Sequence, residues 1–150
     1  MTANDSTAIP GMDLQLHHVG VVVRSLDAYR GFYTDVLRHE QLSGVIHDPV
    51  QTAYVQFFSV PGSGHYLELV APDGEESKLS AASRKGTPLN HLCYSCGDIC
   101  RTVSFLADSR CFLIQEPVPA VAFGGRRIAW LMSPDRLLIE LVERGPEGSL

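Results

Sequence analysis

Apolar and polar positions fall into a pattern that this chain runs through twice. Residues 15–23 (QLHHVGVVV) are apolar and β-rich and predict a strand. Ser25 is a candidate N-cap, and Leu26, Tyr29, Tyr33 and Val36/Leu37 then recur at helical spacing. Strands are predicted near 40–47, 53–60 and 65–71, and Pro61-Gly62-Ser63-Gly64 supplies a hairpin-type turn between the last two. The series restarts at LNHLCYSC (89–96). Asp98 caps a second helix with Ile99, Val103 and Leu106 on its buried side. Strands near 112–116, 127–133 and 137–143 follow, with Ser133-Pro134-Asp135 as the matching turn.

The two halves also align residue by residue. Setting 16–33 above 89–106 places His18 on His91, Ser25 on Asp98, Leu26 on Ile99 and Phe32 on Phe105. Setting YLELV (66–70) above LIELV (138–142) places Glu68 on Glu140, a shift smaller by one residue, which a single loop insertion explains. The expectation is an α+β fold of two β-α-β-β-β modules, at 14–72 and 88–144, whose sheets join into one curved mixed sheet around a metal-containing cavity. Residues 73–87 would form a connector with one helical turn, 145–150 a loose tail, and 1–13 a disordered extension.

Strand side chains alternate between faces. His18, Gly20 and Val22 therefore share one face of the first strand, with His17 on the other, and His91 goes with Cys93. Glu68 and Glu140 stand in otherwise apolar strands. A lone histidine on a strand is usually a packed core residue, and a lone glutamate usually faces solvent. Duplication of both makes coincidence a poor explanation, and a buried carboxylate needs a cation, a proton or a strong donor. His18, Glu68, His91 and Glu140 are thus the expected ligands of one divalent metal ion. Two imidazoles and two carboxylates suit Zn, Co, Ni, Mn or Fe(II) and leave positions open for water or substrate.

Composition narrows the setting. Apolar residues make up 45% of the 150, enough for a core, and the formal charge of −5 leaves no basic footprint for nucleic acid or an anionic membrane. The longest apolar runs are strand-length, and MTANDSTAIPGM lacks a basic start with an apolar stretch. The expectation is a cytoplasmic protein with reduced thiols. Cys93, Cys96 and Cys100 sit too close together to staple the chain, and they read as structural thiols rather than a metal knuckle.

These segments resemble the vicinal oxygen chelate superfamily, which includes glyoxalase I, methylmalonyl-CoA epimerase, extradiol dioxygenases and the fosfomycin and bleomycin resistance proteins. HHVGVVV with SLDAYRGFYTDVL, YLELVAP with DGEES, LNHLCYSC with GDI, and IAWLMSPDRLLIELVE carry the likeness over roughly residues 15–144. The pattern is most similar to methylmalonyl-CoA epimerase. The resemblance implies paired modules, a metal inside the sheet on the four residues above, and a homodimer. Four ligands favour glyoxalase I or the epimerase. Val22 stands where bacterial glyoxalase I carries a glutathione-binding Arg. Gln56 aligns with a second catalytic Glu of the epimerases, and Gln cannot act as a base.

The implied activity is a metal-dependent epimerase or isomerase that abstracts a proton α to a carbonyl, with Glu140 and Glu68 as the bases. The substrate would be an acyl thioester, on coenzyme A or on a carrier protein. The alternatives are a glyoxalase I-like lactoylglutathione lyase and a non-catalytic protein that binds a small molecule such as an antibiotic. Gln56, Phe58 and Trp130 are candidate cavity residues. In PVPAVAFGGRR, Gly124 and Gly125 would let backbone approach a ligand, and Arg126 or Arg127 would grip a carboxylate or phosphate. Asp48-Pro49, with His47, reads as a plain turn in preference to part of a pocket rim.

Overall fold

A computed structural model describes residues 12–150, so all but the last two residues of the expected extension lie outside the described residues. The first half runs β1 (Gln15–Val22), α1 (Leu26–Gly31), β2 (Glu40–Gln41), β3 (Ile46–Asp48), β4 (Ala53–Ser59) and β5 (Tyr66–Pro72). A short α2 (Ser80–Lys85) bridges to the second half: β6 (Leu89–Cys96), α3 (Ile99–Asp108), β7 (Phe112–Pro119), β8 (Arg127–Met132) and β9 (Leu138–Glu143). The strands form one nine-stranded mixed sheet in the order β2-β4-β5-β1-β6-β9-β8-β7, with β3 also on β4. β1 and β6 lie antiparallel at the centre; β5 runs parallel to β1, and β9 runs parallel to β6. The expected α+β architecture of two duplicated modules is the one observed, and its centre is the join between them.

Local chemistry sets the element ends. The Ser25 hydroxyl accepts from Ala28 N–H at 3.4 Å, and the Asp98 carboxylate accepts from Arg101 N–H at 3.0 Å, so both predicted N-caps are in place. The first helix does not stay α-helical to residue 37. Phe32–Val36 forms a π-helical turn closed by Leu37 N–H on Phe32 C=O, where the Thr34 hydroxyl reaches back to the Arg30 and Gly31 carbonyls. The strand expected at 40–47 is split into β2 and β3. Between them the Ser43 hydroxyl accepts from Phe57 N–H at 3.0 Å, a place a continuous neighbouring strand would take.

The sheet has two differently occupied faces. On the outer face, Leu26 of α1 packs on Val21, Val23, Phe58 and Leu69, and Ile99 and Val103 of α3 pack on Cys96, Leu131 and Leu141. On the inner face, Val22, Val55, Phe57, Val70, Cys93, Phe123, Ile128 and Val142 form a third cluster shared by both halves. The residues after β9 fold back onto the second half: Arg126 donates to the Glu143 carbonyl at 3.0 Å and to the Leu150 carbonyl. Asp13 pairs with Arg144 and accepts from Gly97 N–H. The four cysteines are unpaired, and Cys93 and Cys96 face opposite sides of β6.

Candidate metal centre and cavity

β1 and β6 each deliver one histidine to the inner face, and the flanking strands β5 and β9 each deliver one glutamate. His18 Nε2 lies 3.0 Å from His91 Nε2, 3.0 Å from Glu68 Oε2 and 3.1 Å from Glu140 Oε2. His91 Nε2 lies 3.2 Å and 3.3 Å from the same two oxygens. All four residues are buried.

The donors fit a shared cation. An ion bound to N and O donors at about 2.0–2.2 Å holds them about 3–3.5 Å apart, the spacing seen here. Glu140 Oε2 is also buried without a hydrogen-bond partner, an orphan that a cation would satisfy. Electrostatics within the cluster point the same way. Burial opposes charge on Glu140, but the imidazoles of His18 and His91 beside it draw its carboxyl down to about 2. Glu68 is lowered too, with burial again opposed by His18 and His91. Burial works against charge on His18, yet Cys93 and Glu68 beside it turn the balance and lift it well above its ordinary value. Two ionised carboxylates thus draw positive charge into the site.

Two β-bulges orient the imidazoles. Along β1, Leu16 pairs with Tyr94 and His18 with Cys93, leaving His17 as an extra residue. Along β6, His91 pairs with Gly20 and Leu89 with Val21, leaving Asn90 extra. Each extra residue binds the back of the histidine that follows it. His17 Nδ1 is 2.8 Å from His18 Nδ1, and Asn90 Oδ1 is 2.8 Å from His91 Nδ1. A proton held on Nδ1 leaves the Nε2 lone pair free for a ligand. The bulge also overturns simple alternation for His17, whose ring lies 5.7 Å from that of Phe123 on the inner side rather than on the outer face. Burial beside His18 pushes His17 down to about 4, so it is the neutral partner this bond needs.

Gly20 makes the room. A Cβ there would stand 2.0 Å from Cε1 of His91, so the ring crosses β1 only because residue 20 has no side chain. Trp130, paired with Glu140 across β8 and β9, sets its ring edge-on to His91 at 4.8 Å.

The cluster borders a cavity of about 720 Å³ that both halves line, with Glu68, His91, Glu140 and Trp130 on its wall. Several expected cavity residues lie elsewhere. Phe57 is the residue opposite Glu68, so Ala53, Val55 and Phe57 are the inward positions of β4, whereas Gln56 and Phe58 face outward beneath α1. The Gln56 amide accepts from Arg30 at 3.2 Å and donates to the Ser43 carbonyl at 3.0 Å, so it is a structural tie, not a cavity group. Inward β4 therefore offers no carboxylate. Gly124 and Gly125 take positive φ in the turn before β8 and do not line the cavity. Arg126 is spent on the Phe123, Glu143 and Leu150 carbonyls, and Arg127 pairs with Glu143 at 2.6 Å. Asp48 does reach the cavity. It is buried, and its carboxylate accepts from Gln51 N–H at 3.0 Å. Asn90, Gln51, Gln115 and Lys78 also line the cavity, and the sequence signalled none of them; the bulge sets Asn90 beside His91, and the Gln51 amide donates to Gln115 at 3.4 Å between the two halves.

Known proteins supply the frame for these features. The family model described as the glyoxalase/bleomycin resistance protein/dioxygenase superfamily matches residues 17–130. The uncharacterized protein YqjC of Bacillus subtilis is 29% identical over 141 residues, 89% of this chain and 94% of that protein. Among solved structures, methylmalonyl-CoA epimerase from Mycobacterium tuberculosis superposes with a TM-score of 0.77 at 27% identity, over 88% of this chain and 89% of that one. A hypothetical protein, BH1468 of Bacillus halodurans, reaches 0.80 at 24% identity over 92% and 99%. A Streptomyces coelicolor methylmalonyl-CoA epimerase variant in complex with 2-nitronate-propionyl-CoA gives 0.78 at 20% identity over 89% and 99%.

Proposed function

We propose, because this chain belongs to the glyoxalase/bleomycin resistance protein/dioxygenase superfamily, that it is a metal-dependent epimerase or isomerase that removes a proton α to the carbonyl of an acyl thioester. The observation that carries the reading is the convergence of four donor atoms, two from each half, with each imidazole Nε2 3.0–3.3 Å from the other and from both carboxylate oxygens, beside one cavity. His18, Glu68, His91 and Glu140 would hold one divalent ion, which supplies Lewis acidity toward the substrate carbonyl.

The chain's own residues must place and move the proton. Glu68 and Glu140 reach the cavity from strands on either side of the β1/β6 pair, the facing arrangement that two-sided proton transfer needs. Glu140 is held ionised by the imidazoles beside it and lines the cavity, where a carboxylate can take a proton from a bound substrate. With no carboxylate on inward β4, Asp48 is the third carboxylate available to relay a proton. Likeness to epimerases seen with acyl-CoA compounds supports a thioester substrate. A cytoplasmic setting belongs to this reading, as does a homodimer, for which exposed Phe32 and Val36 beside α1 offer apolar surface; mass in solution tests the latter. The apolar cavity wall also suits a protein that only sequesters a small hydrophobic compound.

Hydrogen exchange separates the two. Metal-loaded protein in D₂O is incubated with a panel of 2-methylacyl-CoA thioesters, methylmalonyl-CoA and a glutathione hemithioacetal. The α-hydrogen of a thioester is expected to exchange, at a rate reduced roughly 10²–10⁴-fold by Glu140→Gln. Unchanged exchange in that variant removes Glu140 from the role, and exchange with no compound overturns the enzymatic reading.

A further inference from the structure

Most of the cavity wall away from the four donors is hydrocarbon. Val55 and Val70 come from the first half, Leu79 from the start of α2, and Ile114, Phe123 and Ile128 from the second half. Charged groups are few. Lys78 is the one cation among the lining residues, and its ammonium donates to the Val50 carbonyl at 2.9 Å from an exposed position at the mouth. The arginines next to the cavity turn away from it, as described above. Three carboxylates, from Asp48, Glu68 and Glu140, share the wall. Among the described residues no arginine and no second lysine is on the wall, so a further anion in the interior would have no cationic side chain to pair with, and a buried charge without a partner is costly.

We infer that the substrate turns its oxygen donors to the His18/Glu68/His91/Glu140 cluster and buries a neutral aliphatic or aromatic body in the cavity, so that a short acyl group ending in a second carboxylate is a poor occupant. The inference rests on the metal-dependent reading above and deepens it. A volume of about 720 Å³ is far more than a one- or two-carbon substituent fills, and falls in the range of ~300–1,000 Å³ typical of sites that enclose drug-sized apolar ligands. Any coenzyme or carrier portion of a thioester would stay outside, toward the mouth where Lys78 stands.

A matched pair of probes tests this. Octanohydroxamic acid and 8-(hydroxyamino)-8-oxooctanoic acid carry the same metal-chelating head on the same chain, and only the second ends in a carboxylate. Trp130 is the sole tryptophan and lines the cavity, so its fluorescence reports occupancy directly. With metal-loaded protein, the methyl-ended probe is expected to bind at least tenfold more tightly. Ile114→Lys, which adds a cation at a half-exposed wall position, is expected to narrow that gap several-fold. Equal affinities, tighter binding of the acid-ended probe, a gap that Ile114→Lys leaves unchanged, or failure of both probes to bind would each overturn the inference. Metal content of the same samples keeps the two claims apart. With about one ion per chain only the present inference falls, and with none the metal-dependent reading falls as well.

Discussion

Two imidazole nitrogens 3.0 Å apart cannot both present a proton to each other, and each is also flanked by two carboxylate oxygens. A shared cation resolves this, and the residues behind the ligands are arranged for it. Asn90→Leu removes the acceptor on His91 Nδ1, and a 10–100-fold loss of metal affinity is expected from losing such a partner, measured by chelator competition. Asn90→Asp, which keeps an acceptor, should retain binding. Gly20→Ala should act more severely, because its methyl would occupy the place of the His91 ring; loss of metal binding with an unchanged far-ultraviolet circular dichroism spectrum is the expected result. The four donors were legible in the sequence because duplication set them in matching places. Gly20, His17 and Asn90 were not, since their roles depend on which residue crosses from which strand, and that is decided by two bulges with no local signature.

Elements explain the misplacement of Gln56 and Phe58. Side chains on a strand repeat every two residues, so an alignment off by one sends every residue to the opposite face. The pairing of Phe57 with Glu68 settles which set is inward. Gln56→Ala is accordingly expected to destabilise the fold by about 1–3 kcal/mol through the broken ties to Arg30 and the Ser43 carbonyl, while metal affinity stays unchanged. The helix caps were readable because capping is local: Asp98→Ala should cost about 1 kcal/mol in denaturant unfolding. The second half is also held by a pH-sensitive link. The hydrogen bond from Arg127 holds Glu143 below its ordinary 4.5, against a small opposing effect of burial. A carboxyl lowered on folding contributes stability that is full above its unfolded value and lost as pH falls through the folded one. The stability gap between wild type and Glu143→Gln, under about 1 kcal/mol for so exposed a pair, should therefore hold near pH 7 and vanish in acid below pH 4.5.

At the scale of the whole molecule, the duplicated sequence becomes a duplicated sheet, and the join between the copies is where the chemistry-bearing side chains meet. His18 and His91 come from the central antiparallel strands, and Glu68 and Glu140 from their parallel neighbours, so neither half holds the cluster alone. The pattern of apolar positions was enough to foresee that symmetry. It was not enough to foresee the cavity wall, which depends on how the β7 edge, the turn before β8 and the start of α2 come together around the inner face. Elemental analysis of wild type and His91→Ala, both loaded with a divalent metal and then desalted, tests the central claim most directly. The account predicts about one ion per chain in the wild type and a near-complete loss in the variant. A wild type that retains no metal, or a variant that retains as much, would contradict it.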